Sequence, residues 1–200
     1  MDLESLFKAR GANPASEVEG NEAFSAKPEF YDPITALREY AKDISKEDEL
    51  GNILVKRQLI SEKHEREAYA HLEENSRNVM SPIPLSMIYE LSGMEHLNID
   101  RIINRLVIDY KMPYLSIKNF KIKPEIIAML PPDAGERLGI ALFGGLESSA
   151  QVACLNPLRK HDLTEMLKEC LKRHDIFFFL TRPEYITGYY DRLRKQLTEL

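Results

Sequence analysis

Five histidines, two cysteines and one serine pair are the side chains of this chain best suited to bond-making chemistry, and their spacing decides whether they can perform it. His64 and His71 could share a helix face, but they stand seven residues apart. A helix that holds a metal presents two imidazoles at i, i+4 with a carboxylate nearby, so this pair reads as solvated surface. His96, His161 and His174 are scattered through polar stretches. Ser148 and Ser149 lie in GGLESSAQ without the Gly-x-Ser-x-Gly turn of a nucleophile elbow. Gly144 and Gly145 join two predicted strands and read as a hairpin turn, not a phosphate cradle. Cys154 and Cys170 lack CxxC spacing and are expected as buried, reduced thiols. Nothing from Met1 to Leu200 spells a Gly-rich loop ending in Gly-Lys-Ser/Thr. The expectation is a chain with no catalytic residues, no metal and no cofactor, hence not an enzyme.

Bulk properties narrow the partners. Two hundred residues with 44% hydrophobic and 30% charged side chains suit one good core or two small ones. A net charge of −5 supplies no positive field for a polyanion, so nucleic acid is not an expected partner. No apolar run approaches the roughly 20 residues of a membrane span, and MDLESLFKARGANPASEVEG lacks the basic-then-apolar order of a secretory signal. A cytoplasmic location without membrane insertion is expected.

Such side chains need elements to place them. Residues 1–30 carry no sustained period and read as a mobile tail, in which Leu3, Leu6 and Phe7 could form a short hook. From Asp32 the pattern turns helical. PITALREYAKDI opens on Pro33, and Ser45 with Asp48 resembles a capping box ahead of Leu50, Ile53 and Leu54. Ser61 caps the polar helix EKHEREAYAHLEE, PLSMIYELSG closes at Gly93, and Asn98 caps IDRIINRLVIDYK with its Ile102, Leu106 stripe. After Met112 short strands alternate with helices: PYLSI, GIALF, AQVACL and DIFFFLTR are four predicted strands. The helix DLTEMLKECLKR lies between the last two, and a final helix starts at Pro183. In FFFL, Phe177 and Phe179 must face one way and Phe178 the other. One face can meet Leu163 and Leu167. The other needs either the final helix, the preferred cover, or a partner. The expected fold class is α+β (α/β), with N-terminal helical hairpins packed on a small C-terminal sandwich of about four strands. The expected organisation is a tail over 1–30, a helical subdomain over 31–111 and an α/β subdomain over 112–200, the last two forming one packed module because no flexible linker separates them near Lys111.

Helix, short turn and capped helix occur twice. The caps Ser61 and Asn98 are 37 residues apart (98 − 61), with Leu59 and Leu97 just ahead of them, as in a duplicated helical hairpin. The segments MPYLSI, KPEIIAMLPPDAGERLGIALF and AQVACLNPL resemble the N-terminal domain of the type II secretion and type IV pilus assembly ATPases. In those machines this domain joins the motor to the inner-membrane platform, so the resemblance implies a docking part, present here without the motor's phosphate loop. The first hairpin resembles the cyclic di-guanylate motif found in some members of that family, RLGxxLVxxGxΦSxxxLxxALxxQ. Leu50, Gly51, Leu54, Val55, Ile60, Ser61 and Ala68 match it in register, whereas Glu49, Gln58, Glu65, Tyr69 and Leu72 depart. The ends of the motif supply a guanidinium and an amide; Glu49 and Leu72 replace them, and a carboxylate would repel a dianionic ligand. The second hairpin lacks the Leu-Gly pair and ends on Asp109. Arg137, Leu138 and Gly139 also spell RLG, but in front of a strand, where they read as a helix end. Two functions follow from the resemblance: a non-catalytic protein-interaction or adaptor module whose partner is a secretion or pilus inner-membrane platform component, or a regulator that binds cyclic di-guanylate through Leu50, Gly51, Leu54, Val55 and Ser61.

Overall fold

The structure, a computed structural model, describes residues 31–78, 81–122 and 129–198. The expected tail and its Leu3, Leu6, Phe7 hook lie outside the described residues.

Local capping chemistry starts each helix of the first half. The Asp32 carboxylate accepts the backbone N–H groups of Ile34 (3.1 Å) and Thr35 (3.2 Å) and opens α1, Pro33–Tyr40. Helix α2 spans Ser45–Lys56, and here the expected Ser45 capping box does not form. Asp43 accepts the Ser45 N–H at 2.8 Å instead, because its side chain reaches the amide two residues on and leaves Ser45 already inside the first turn. Ser61 opens α3 (Glu62–Arg77), Ser86 opens α4 (Met87–Ser92) and Asn98 opens α5 (Ile99–Tyr110). Each accepts a backbone N–H from the first turn with its side-chain oxygen.

The second half holds a short helix α6, Pro132–Arg137, then strands β1 (Ile140–Gly144), β2 (Ser149–Cys154) and β3 (Asp175–Leu180) in that spatial order. β1 and β2 form an antiparallel hairpin, with a register shift between Leu142 and Gly144; Gly145, at φ 144°, makes its turn. β2 and β3 are parallel, so they need a crossover, supplied by the 3₁₀ turn Pro157–Arg159 and α7, Lys160–Leu171. α8, Pro183–Thr198, follows.

The fold is α+β, and among the described residues the sheet has three strands, not four. PYLSI contributes one bridge, Tyr114 to Leu180, held by Leu115 N–H to the Leu180 carbonyl and Leu180 N–H to the Pro113 carbonyl, both 2.8 Å. Pro113 has no N–H to extend the ladder, and β3 ends at Leu180, so pairing stops after one rung.

The period of two along the strands sorts their side chains between two cores. Ile140, Leu142, Ala150, Val152, Cys154, Phe178 and Leu180 share one apolar cluster with Leu163 and Leu167 of α7, and with Leu50, Leu54, Leu72, Leu91 and Leu106 of the helical half. Ala141, Phe143, Ala153 and Leu155 face Ile186, Tyr189, Tyr190 and Leu193 of α8. Tyr189 and Tyr190 donate their hydroxyls, at 2.7 Å each, to the Leu142 and Ile140 carbonyls of β1. The final helix thus hydrogen-bonds to β1 as well as packing on the sheet. Its cover reaches Phe179, whereas Phe177 on the same face stays 53% exposed.

Candidate functional site

The α2–α3 hairpin brings the motif residues together, and the fold occupies most of them. Leu50 and Leu54 are wholly buried in the main core. Gly51 lies where a Cβ would stand 2.7 Å from the Met87 methyl and 3.1 Å from Glu65 Cγ, so its missing side chain lets α2 approach α3 and α4. Val55 is half-buried, and Ser61 spends its hydroxyl on the His64 N–H (3.2 Å). Of the two departing ends, Glu49 is paired with Lys46 at 2.8 Å and Leu72 is wholly buried. The groups left facing solvent therefore include no guanidinium or amide at either motif end.

Gln58 stands where the motif has glycine and retains a glycine conformation, with φ 55°. The second hairpin places His96 at φ 66° just before its own cap, one residue off the 37-residue register. A left-handed turn ahead of a capped helix is thus shared by both hairpins. Because this conformation costs an L-residue about 1–2 kcal/mol, partly offset by the chain entropy that glycine adds to the unfolded state, Gln58→Gly should raise the unfolding free energy by about 1 kcal/mol. Urea unfolding would show a higher midpoint at unchanged slope; a lower midpoint would contradict this reading.

A buried ion pair, which sequence periodicity does not show, fastens this hairpin to the α/β half. Arg159 Nε donates to Glu47 Oε1 at 2.7 Å, with both side chains almost wholly buried. Asn156 Nδ2 donates to the same oxygen (2.8 Å) and to the Lys46 carbonyl (3.0 Å), and the Met87 N–H donates to Glu47 Oε2 (2.8 Å). Arg159 Nη2 reaches the Asp43 carbonyl at 2.7 Å, while Nη1 has no hydrogen-bond partner. The Tyr40 ring lies 5.2 Å from the guanidinium carbon, and the Tyr40 hydroxyl donates to Asp162 at 2.9 Å. Burial raises the Tyr40 hydroxyl pKa and keeps it a donor.

Arg137, from the RLG lookalike, acts in the fold. Its guanidinium donates to the carbonyls of Asn75, Ser76, Asn78 and Ser81, capping the C-terminal end of α3, and Gly139 ends α6 at φ 64°. His64 Nδ1 accepts the Ser61 N–H at 3.5 Å, and His71 approaches Glu90 at 3.5 Å. These two histidines and Glu90 border one cleft, yet no group of three or more His, Cys, Asp or Glu among the described residues is arranged to hold a metal. Burial raises the Glu90 carboxyl pKa, against the Asn75 amide that donates to it at 3.0 Å. Ser148, Ser149, His161 and His174 do not come together with a nucleophile–base geometry in any hydrogen bond among the described residues.

Burial pushes the Cys154 thiol up to about 12, and its sulfur lies 3.6 Å from the Met112 sulfur. Thiolate is the reacting species, so in native protein Cys154 should resist iodoacetamide at neutral pH and react only on unfolding. Rapid native labelling at Cys154, read by mass spectrometry, would contradict the burial.

Residues 110–200 match the family model of the MshEN domain. That segment spans the end of α5 and the whole α/β half, so the resemblance to the N-terminal domain of type II secretion and type IV pilus assembly ATPases stands there on more than the quoted motifs. Among solved structures, one described as the structure of MshE with cdg matches at 19% identity. It covers 72% of this chain and 96% of its own, with a TM-score of 0.45. Comparison with curated proteins finds no match. Among the described residues, no helix is long and apolar enough to cross a membrane.

Proposed function

We propose that this chain is a non-catalytic cytoplasmic adaptor that binds a protein component of a secretion or pilus inner-membrane platform. The observation that carries the reading is the state of the α2–α3 hairpin. Its scaffold positions are spent on packing and capping, and its two ligand-reading positions hold an ion-paired Glu49 and a buried Leu72. A hairpin whose scaffold positions are spent on packing and capping, with no ligand-reading group at either end, is suited to contact through its surface. The alternative, regulation by cyclic di-guanylate, draws support from the retained Leu50, Gly51, Leu54, Val55 and Ser61. Calorimetric titration separates the two. The adaptor reading expects a dissociation constant weaker than about 100 μM for cyclic di-guanylate; a value near 1 μM, about −8 kcal/mol, would favour the receptor.

A further inference from the structure

Between the α2–α3 turn and α5 lies a groove of about 740 Å³ whose walls are cationic, although the chain as a whole carries −5. Lys56 and Arg57 come from the end of α2, and Arg101 and Arg105 from successive turns of α5. The nearby carboxylates are already engaged. Asp109 is shared by Arg105 (3.1 Å) and Arg57 (3.6 Å), and Asp100 is held by Arg182 at 2.7 Å from outside the groove. Lys56 and Arg101 have no ion-pair partner among the described residues. Beside them Ile108 is 68% exposed, one turn beyond Arg105 on the same helix face.

Resting on the adaptor reading, we propose that this groove docks an acidic segment of the protein partner, with carboxylates on Lys56 and Arg101 and an apolar side chain against Ile108. The chemistry selects the occupant. Two uncompensated cations lining one groove, with an exposed aliphatic group two turns beyond Arg101 on α5, match a segment that carries acidic and apolar residues at helical spacing. No aromatic residue lines the groove among the described residues, so a base could stack there only on a guanidinium, and displacement by cyclic di-guanylate is the outcome that would reveal it. The opposite local charge would speed encounter and enforce orientation, as charge complementarity does at transient interfaces.

The probe is a fluorescein-labelled synthetic peptide of glutamates with leucines at helical spacing, alongside the same peptide with lysines for glutamates, titrated with the full chain and read by fluorescence anisotropy. The acidic peptide should bind, the basic one should not, and raising the salt from 0.05 M to 0.5 M should weaken binding (the screening length shortens from about 14 Å to about 4 Å). Lys56→Glu with Arg101→Glu should weaken it by about tenfold or more, and Lys56→Gln with Arg101→Gln by less. All four changes are at exposed positions, and circular dichroism of each variant would confirm the fold. Absence of acidic-peptide binding, equal binding by the charge-reversed variant, or displacement of the peptide by cyclic di-guanylate would each overturn the groove assignment. Failure here is distinguishable from failure of the adaptor reading: a charge-reversed chain that still captures its platform partner keeps the adaptor and discards the groove.

Discussion

Replacing Arg159 with methionine is expected to lower the unfolding free energy by about 3–5 kcal/mol, because it strands the Glu47 carboxylate in an apolar interior without its counter-charge. The remaining donors, Asn156 Nδ2 and the Met87 N–H, can hold the oxygens but cannot neutralise them. Replacing both residues, Glu47→Leu with Arg159→Met, removes the stranded charge and should recover much of the loss, since apolar groups of similar volume often substitute for a buried pair at little or no cost. Urea denaturation of the two single variants and the double variant forms the cycle that measures the coupling. A single-variant loss below about 1 kcal/mol would mean that water reaches the pair and that it does not fasten the hairpin to the α/β half.

Leu106→Ala is expected to cost about 2–5 kcal/mol, the range for truncating a fully buried leucine into a core that cannot collapse on the cavity. Leu106 shares its apolar cluster with Leu142, Val152 and Phe178 of the sheet. We therefore propose that residues 31–111 and 112–200 unfold together, so that tyrosine fluorescence and far-ultraviolet circular dichroism should report one coincident, shifted transition. Separate transitions, or limited proteolysis near Lys111 that releases two stable pieces, would show independent domains.

The helices were legible because their signals are local. Pro33 sits in the first turn of α1, Ser61 and Asn98 each cap the helix that follows, and the Ile102, Leu106 stripe has the period of a buried helix face. Three strands read correctly for the same reason. PYLSI misled because alternation and β-branching say nothing about whether a neighbour is aligned for more than one rung, and Pro113 removes the donor that would extend it. The Ser45 cap misled because a stronger acceptor, Asp43, stands two residues upstream. The Glu47–Arg159 pair was invisible: its members are 112 residues apart, and a charged residue in a helix turn reads as solvated until its burial is known. Within the candidate site, the motif register identifies Gly51 and Ser61, and the structure gives Gly51 a packing role and Ser61 a capping one. The groove cations are not legible in the sequence because Lys56 and Arg101 line one groove only when α2 and α5 pack, while sequence patterning counts them as ordinary helix surface.

The measurement that bears most directly on the adaptor reading is affinity capture of the tagged full chain from the cells that make it, with bound species quantified by mass spectrometry and the eluate assayed for nucleotide. A secretion or pilus platform component should be recovered near one-to-one with the chain, and no stoichiometric cyclic di-guanylate. Recovery of stoichiometric cyclic di-guanylate with no protein partner would contradict that reading.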